Sequence, residues 1–189
     1  EVAHLSTAIH GMVENLTHEI KHRKQAEQAL RLSAKVFENN TEAILITDSK
    51  MNIVMVNHAF TEITGYYIEE VLGENPKILS SGRHSREFFE AFWQSLITKD
   101  LWRGEIWNKR KNGEIFPEWV TVSVLRDEQL QITHYIAIYL DISDRKKEEE
   151  RINYLANYDV LSGLPNRHLL ADRIEQALSS AQRHSSKVA

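Results

Sequence analysis

The order of strand and helix patterns between residues 34 and 143 constrains the fold of this chain more than any other feature. Two short runs of β-branched and aliphatic residues come first, at 43–48 and 53–57, with a turn between them. Helical patterns follow, and the longest covers residues 85–98 and has one apolar side. Three longer strand patterns complete the region, at residues 103–111, 115–126 and 133–141. This order predicts an α+β domain, an antiparallel sheet with its helices on one face.

Helical patterns flank this region on both sides. Over residues 1–33, apolar residues three and four positions apart form a heptad seam, which consists of Val2, Leu5, Ile9, Met12 and Leu16. The seam predicts either a parallel coiled-coil dimer or a single amphipathic helix packed on its own domain. A charged stretch after residue 143 leads into a second helix, which Gly163 and Pro165 interrupt.

Composition excludes several classes of function. The chain of 189 residues contains no cysteine, which rules out disulfides and thiolate metal sites and is typical of a reducing compartment. The net charge of -4, without a dominant basic patch, gives no support to a nucleic-acid partner. Because no apolar run is long enough to span a bilayer, we expect no direct membrane contact from this part of the protein. No cluster of histidine and acidic residues has the spacing of a metal site.

The central region, residues 34–143, resembles a PAS domain. Six short segments carry this resemblance in order: residues 46–48, 53–60, 64–66, 102–105, 110–113 and 141–143. The resemblance implies a five-stranded antiparallel sheet. It also implies a sensor that binds a small ligand, or a partner, in a pocket between the sheet and the helices.

Both flanks resemble parts of bacterial signalling proteins. The opening, Glu1 to Leu16, is similar to the last helix of a HAMP linker. Residues 158–167 resemble the opening signature of the GGDEF diguanylate cyclases, with Ser162 in place of the more usual threonine. The implied organisation is an input helix at 1–33, a PAS sensor at 34–143, a linker helix at 144–157 and the start of a GGDEF domain at 158–189.

This organisation implies a set of functional expectations. The GGDEF family's metal-binding aspartates and its GGDEF loop would lie beyond the matched segment, so we expect no catalysis by this chain itself. The parent protein is expected to be a diguanylate cyclase, a cyclic-di-GMP phosphodiesterase, or both, in a receptor anchored in the bacterial inner membrane with this part in the cytoplasm. We expect a homodimer through the N-terminal helix and the PAS domain, acting on the chain's own C-terminal GGDEF domain.

The four tryptophans all lie between residues 90 and 120. They could fill a small core and an interface, or they could line a pocket for a flavin, whose flat ring stacks on aromatic faces. On a period-2 strand, Ile106 and Asn108 share one face, so a core-facing Ile106 brings Asn108 inward. Glu118 is in phase with Val120 and Val122, which predicts that it also points inward.

The same residues are similar to the FAD-binding, redox-sensing PAS domains. These share the Asn75-Pro76 pair, the tryptophan of the following helix, and the W-x-G-x-x-x-N-x-R-K run at residues 102–111. The resemblance implies FAD contacts by Trp93, Trp102 and Asn108, with Glu118 as an addition. The absence of cysteine excludes a light-driven cysteine adduct, so redox or oxygen sensing is the expected signal. The alternative is a ligand-free scaffold that only dimerises.

Haem is the other cofactor that nine histidines bring into question. An axial ligand must point into the pocket, and the positions of His58 and His84 favour FAD over haem. Signal coupling is expected at Asp141 and Ser143, where the last strand becomes a helix. Asp141 could cap that helix or pair with a basic residue on the sheet. A plain cap without a signalling role is the alternative.

Overall fold

The computed structural model describes residues 2–160, 162–167, 169–171 and 173–175, with side chains described from Leu16 onward. The chain divides into two compact units, one that ends at Asp141 and another that begins at Ile142. The helices are α1 Val2–Glu38, α2 His58–Thr64, α3 Ile68–Val71, α4 Arg86–Lys99 and α5 Ser143–Asn157, with a short 3-10 helix at Pro76–Leu79. The strands are β1 Ala43–Asp48, β2 Ile53–Val56, β3 Leu101–Lys109, β4 Ile115–Arg126 and β5 Ile132–Asp141. Among the described helices, none is long and apolar enough to cross a membrane.

The first unit contains one five-stranded sheet in the order β2-β1-β5-β4-β3, antiparallel throughout. This confirms the predicted α+β fold. The central strand β5 pairs with β1 on one side and β4 on the other, so that Ala137 lies opposite both Leu45 and Val122. Strands β2 and β3 form the two edges. The long connection between them in sequence holds α2 to α4, which cover the inner face of the sheet.

The core lies between that inner face and the helices. Alternate residues of each strand point inward, so Leu45, Val120 and Ala137 meet Phe60 of α2 and Leu96 of α4. The outer face of the sheet is apolar as well but remains partly open, with Trp119 43% and Leu140 45% exposed. An antiparallel sheet with one covered face is the expected solution for strands of alternating pattern.

Local signals in the sequence explain where the elements begin and end. The Asn57 side chain accepts from the Phe60 amide and caps α2, and Gly65 ends that helix in the left-handed conformation at φ 78°. The buried Asn57 amide also donates to the carbonyls of Phe37 and Glu42, which ties the end of α1 to the sheet. Ser85 caps α4 in the same manner as Asn57 caps α2.

Several observed boundaries differ from the predicted ones; strand β3 ends at Lys109 rather than at 111, and β5 begins at Ile132 rather than at 133. Helix α1 runs on to Glu38, past the predicted boundary at residue 33. Strand β3 begins at Leu101 rather than at 103, because its pairing with β4 extends over the whole length from Leu101 to Lys109. Of the predicted seam in α1, the side chains before Leu16 lie outside the described part of the structure, and Leu16 itself is exposed.

In the second unit, α5 is followed by a turn in which Tyr158 pairs with Pro165. The Asp159 carboxylate accepts hydrogen bonds from the Ser162 amide and hydroxyl, and Gly163 has a positive φ of 69°. Residue 161 of the GGDEF-like signature, and residues 168, 172 and 176–189 of the predicted GGDEF start, lie outside the described residues. The Ser162 hydroxyl donates to Asp159 over 2.7 Å, a bond that the hydroxyl of either serine or threonine can make.

Candidate functional site

A cavity of about 770 Å³ lies between the inner face of the sheet and the segment that runs from the 3-10 helix into α4. Its wall is mainly apolar and aromatic, with Leu45, Phe92, Trp93, Val120 and Tyr139 among the lining residues. Both the volume and the lining are typical of sites that enclose a small organic molecule. The cavity occupies the place where the sequence predicts a pocket between sheet and helices.

Two of the predicted contact residues, Trp93 and Asn108, line this cavity. Trp93 is held by edge-to-face contacts, with its ring centre 5.1 Å from that of Phe92 and 5.9 Å from that of Tyr135. Such contacts fix the orientation of an aromatic ring before any ligand enters. The α4 helix therefore presents Trp93 as a rigid flat surface.

Trp102 lies outside the lining of the cavity and packs behind its wall. The centre of its ring is 4.8 Å from that of Phe92 and 5.9 Å from that of Phe88. Gly104 makes this position possible, because a Cβ at residue 104 would come within 2.6 Å of the Trp102 ring. The W-x-G spacing thus has a packing reason, and Trp102 supports the aromatic residues that line the pocket.

Asn108 and Glu118 form a buried polar pair at the cavity. The Asn108 Nδ2 donates to Glu118 Oε2 over 2.7 Å, and Glu118 is 0% exposed. Its other oxygen, Oε1, finds no hydrogen-bond partner among the described residues. Burial raises the pKa of the Glu118 carboxyl to about 7, and the bond from Asn108 only partly opposes this. Only Asn108 of this pair lines the cavity, and its side-chain amide can offer a donor and an acceptor to a polar ligand edge.

A charged pair lies next to this site, on the same part of the sheet. Arg110 Nη2 bonds to Asp141 Oδ2 over 2.6 Å, and the Arg110 guanidinium lies 3.6 Å from the centre of the Phe116 ring. Glu118 is the direct cross-strand neighbour of Asp141. Of the two predicted roles for Asp141, pairing with a basic residue on the sheet is observed. Ser143, the other predicted coupling residue, is the first residue of α5.

The mouth of the cavity is cationic. The charged side chains among the lining residues are Lys50, Lys77 and Arg86, all exposed, and the lining includes no carboxylate. Cations at an opening that leads to an apolar interior favour a ligand with an anionic group at one end. The sequence pattern did not single out these residues, because surface lysines and arginines carry no signal until the fold groups them.

The two histidines considered for haem have other positions. His58 lies on the surface of α2, where its Nε2 is 3.3 Å from Glu62. His84 does line the cavity, but its Nε2 accepts a hydrogen bond of 2.8 Å from the backbone amide of Trp107. Burial lowers the pKa of His84, although the nearby Glu105 opposes the effect. The Nε2 that could have bound a metal is therefore already used by the protein.

Comparisons with known proteins agree with this architecture. A sequence profile described as "PAS domain" matches residues 41–144. The nitrogen fixation regulatory protein of Klebsiella oxytoca is 28% identical over 169 residues, which cover 88% of this chain and 34% of that protein. The cyclic di-GMP phosphodiesterase PdeR of Escherichia coli (strain K12) is 26% identical over 162 residues, which cover 84% of this chain and 24% of that protein. This chain thus spans about a third or less of these relatives.

A solved structure shares the fold. The one described as "Structure of an RNA-binding Light-Oxygen-Voltage Receptor" superposes with a TM-score of 0.59 at 26% sequence identity. The superposition covers 66% of this chain and 36% of that chain.

Proposed function

This chain belongs to the PAS domain family, whose profile its residues 41–144 match, and we propose that it is a sensor that holds FAD. The observation that carries the proposal is a cavity of about 770 Å³ lined by Trp93 and Asn108, with Asn108 held by its hydrogen bond to the buried Glu118. When bound, a flavin supplies reversible electron transfer, which suits redox or oxygen sensing.

The residues present fit such a group. The ring system of a flavin has an apolar body and a polar edge with alternating donors and acceptors, and the cavity combines an aromatic wall with the amide of Asn108. Asn108 lines the cavity and Glu118 lies behind it, where Glu118 Oε1 has no hydrogen-bond partner among the described residues. We propose that Trp93 and Asn108 contact the flavin, that Glu118 sets the hydrogen bonding of Asn108, and that Trp102 supports the wall.

The charges at the mouth favour a phosphorylated flavin over riboflavin. Lys50 and Lys77 offer two cations to the diphosphate of FAD, and Arg86, which pairs with Glu90 over 2.8 Å, lies beside them in the lining. Riboflavin has no anionic group that could use them. Competition between FAD and riboflavin for the purified protein therefore tests which part of the ligand is recognised.

The experiment is a binding titration of the purified protein with FAD, followed by flavin absorption and by quenching of flavin fluorescence. We expect Asn108→Ala and Trp93→Ala to lose most of the flavin. The matched control is Trp119→Ala, which removes a tryptophan from the outer face of the sheet and should bind as the wild type does. If the wild-type protein takes up no FAD when it is added in excess, the flavin proposal is wrong.

We further propose that the sensor works as a homodimer. Helix α1 exposes Leu16 and Ile20, at 50% and 66%, and the outer face of the sheet exposes Trp119 and Leu140. Apolar surfaces of this kind are typical of interfaces. Sedimentation of the purified chain tests the proposal, and we expect Ile20→Glu or Trp119→Glu to shift the protein toward the monomer.

The output that fits best is a cyclic-di-GMP enzyme in the same polypeptide. Two observations support this: the similarity to PdeR, and the GGDEF-like signature at 158–167. We propose that the parent is a membrane-anchored receptor and that this chain is its non-catalytic relay. The signal would pass along the chain from the end of β5 at Asp141 to α5, which begins at Ser143. Incubation of the chain with GTP should yield no cyclic di-GMP, and the parent protein should change its cyclic-di-GMP activity with the redox state of the flavin.

A ligand-free scaffold is the second candidate, and the apolar outer face of the sheet favours it. A scaffold would dimerise normally while binding no FAD. The titration and the sedimentation experiments together therefore distinguish the two functions.

A further inference from the structure

The segment of residues 80–84 covers the edge strand β3 at Trp107 and Asn108. Among the described residues, β3 is an edge strand of the sheet, so its outward backbone groups need other partners. Ser80 bridges to Asn108, and the Ser81 hydroxyl donates to the carbonyl of Trp107. His84 completes the set, because its Nε2 accepts from the Trp107 amide over 2.8 Å. Both backbone groups of Trp107 are therefore satisfied by this one segment.

The hydrogen bond to His84 exists in only one protonation state. A ring nitrogen that accepts from a backbone N–H cannot carry a proton, so the imidazole must be neutral with its proton on Nδ1. Protonation would turn the acceptor into a second donor that faces the Trp107 N–H. The bond would be lost, and two donors would oppose each other.

The groups packed around His84 keep it neutral at ordinary pH. Its ring stacks on Phe88 of α4, with ring centres 4.1 Å apart and an angle of 25°. From β3, the charge of Glu105 favours protonation, but burial outweighs it and the pKa of His84 is lowered. The charged residues of its own segment are Arg83, which lies over the Trp107 ring at 4.4 Å, and Arg86 at the cavity mouth. Both are cations and add no stabilisation of a charged ring.

The same segment is part of the cavity wall. Ser80 and His84 line the cavity, as do Trp107 and Asn108 on the strand that they contact. We propose that His84 is a positioning residue whose hydrogen bond to the Trp107 amide, here called the latch, holds residues 80–84 against β3. Acid breaks this bond and speeds exchange of the bound molecule. The gating part of this inference rests on the proposed ligand-binding function, whereas the latch itself does not.

The direction of the pH effect follows from the lowered pKa. In the unfolded or opened state, His84 takes up a proton near the ordinary histidine value of about 6.5. In the latched state it takes up a proton only at lower pH. The latched state is therefore favoured above the ordinary value and loses stability as the pH falls below it.

Hydrogen exchange of the Trp107 amide, measured by NMR on the whole chain without added ligand, tests the latch. Protection is compared about one pH unit above and below the ordinary histidine pKa, after correction for the intrinsic rates. We expect protection to fall at least about fivefold in acid, the factor that one ordinary hydrogen bond contributes. The amide of Val120, in the interior strand β4, is the internal control and should keep its protection.

Two variants separate the latch from general loss of structure. His84→Ala should lower Trp107 protection by a similar factor at both pH values. His84→Gln should restore it and remove its pH dependence, because the glutamine Oε1 accepts a hydrogen bond and does not titrate. If Trp107 protection is the same in wild type and His84→Ala, or if His84→Gln keeps the wild-type pH dependence, the latch is overturned.

Release of FAD then tests the gate. We expect release from the wild type to speed up severalfold in acid and release from His84→Gln to stay constant. Equal pH dependence in both proteins overturns gating by His84. If the Trp107 amide responds as expected but FAD never binds, the latch stands and the flavin proposal fails.

Discussion

Asn108 and Glu118 are joined by a hydrogen bond of 2.7 Å in the interior of the sheet, with Glu118 fully buried. The two residues lie on neighbouring strands, Asn108 on β3 and Glu118 on β4. A carboxyl group removed from water favours its neutral form, and a single amide donor compensates only one of its oxygens. Burial of this pair therefore destabilises the folded protein unless the second carboxyl oxygen also gains a hydrogen bond.

Replacement of Glu118 by glutamine should stabilise the protein at high pH. The folded-state pKa of Glu118 is raised to about 7 from an ordinary 4.5, so the folded state holds its proton more tightly than the unfolded state does. Stability must then fall as the pH rises from the lower value through the higher one. Urea denaturation across this range should show a loss of a few kcal/mol in the wild type, at about 1.4 kcal/mol for each pKa unit.

The Glu118→Gln variant should lack this loss, while Glu128→Gln, in the exposed turn between β4 and β5, should keep it. Because His84 contributes an opposite trend over part of this range, the comparison with Glu118→Gln is decisive. The same pH dependence in the wild type and in Glu118→Gln would contradict the predicted state of Glu118.

A double-mutant cycle should detect coupling between Asn108 and Glu118. Asn108→Ala alone leaves a second carboxyl oxygen without a partner, and we expect a cost of about 1–3 kcal/mol. In the Glu118→Leu background the same substitution should cost much less, since no buried carboxyl remains to be satisfied. Additive effects, with no interaction energy above about 0.5 kcal/mol, would show that the bond contributes little.

The sequence predicts the layers and faces of this fold well, because both follow from periodicity. The period-2 pattern places Ile106, Asn108 and Glu118 inward, and all three are buried. Spacing along one strand does not reveal which inward residues meet a cavity. The sequence predicts Trp102 as a flavin contact, but its ring packs behind the wall. The ring takes this position because it lies against Gly104, a contact that the strand pattern does not reveal.

Relationships between distant segments were harder to predict. The pairing of Arg110 with Asp141 requires the register of β3, β4 and β5, which no local pattern gives. The sequence suggests His84 only as a possible haem ligand. Its role as a hydrogen-bond acceptor for the edge strand β3 follows from the strand order, which the sequence pattern does not give.

Gly104→Ala should destabilise the protein through the Trp102 ring. An added Cβ would lie 2.6 Å from that ring, so the indole or the strand must shift. Overpacking of this kind costs about 1–3 kcal/mol. In the Trp102→Leu background the added methyl group should cost clearly less, because the indole that it meets is gone. Thermal denaturation of the four proteins tests this, and an equal cost in both backgrounds would refute the role of Trp102.

Asp141→Asn should cost more stability than Asp100→Asn, although each aspartate pairs with one arginine on the sheet. The Arg110 and Asp141 side chains are largely shielded from solvent, and their hydrogen bond is 2.6 Å long. The Arg126 and Asp100 side chains, which form the comparison pair, are more exposed. Removing the Asp141 charge leaves the shielded Arg110 with its longer carboxylate contact, to Glu114 over 3.2 Å, whereas exposed pairs contribute little to stability.

Asparagine suits position 100 as well, because this residue ends α4 with a positive φ of 54°, which asparagine tolerates. We therefore expect a cost of about 1–3 kcal/mol for Asp141→Asn and a clearly smaller cost for Asp100→Asn in urea denaturation. Added salt should weaken the Asp100 pair more than the Asp141 pair, because screening acts mainly on exposed charges. Equal costs and equal salt dependence would mean that the Arg110–Asp141 pair behaves as an ordinary surface contact, which would also remove the structural basis for coupling at the end of β5.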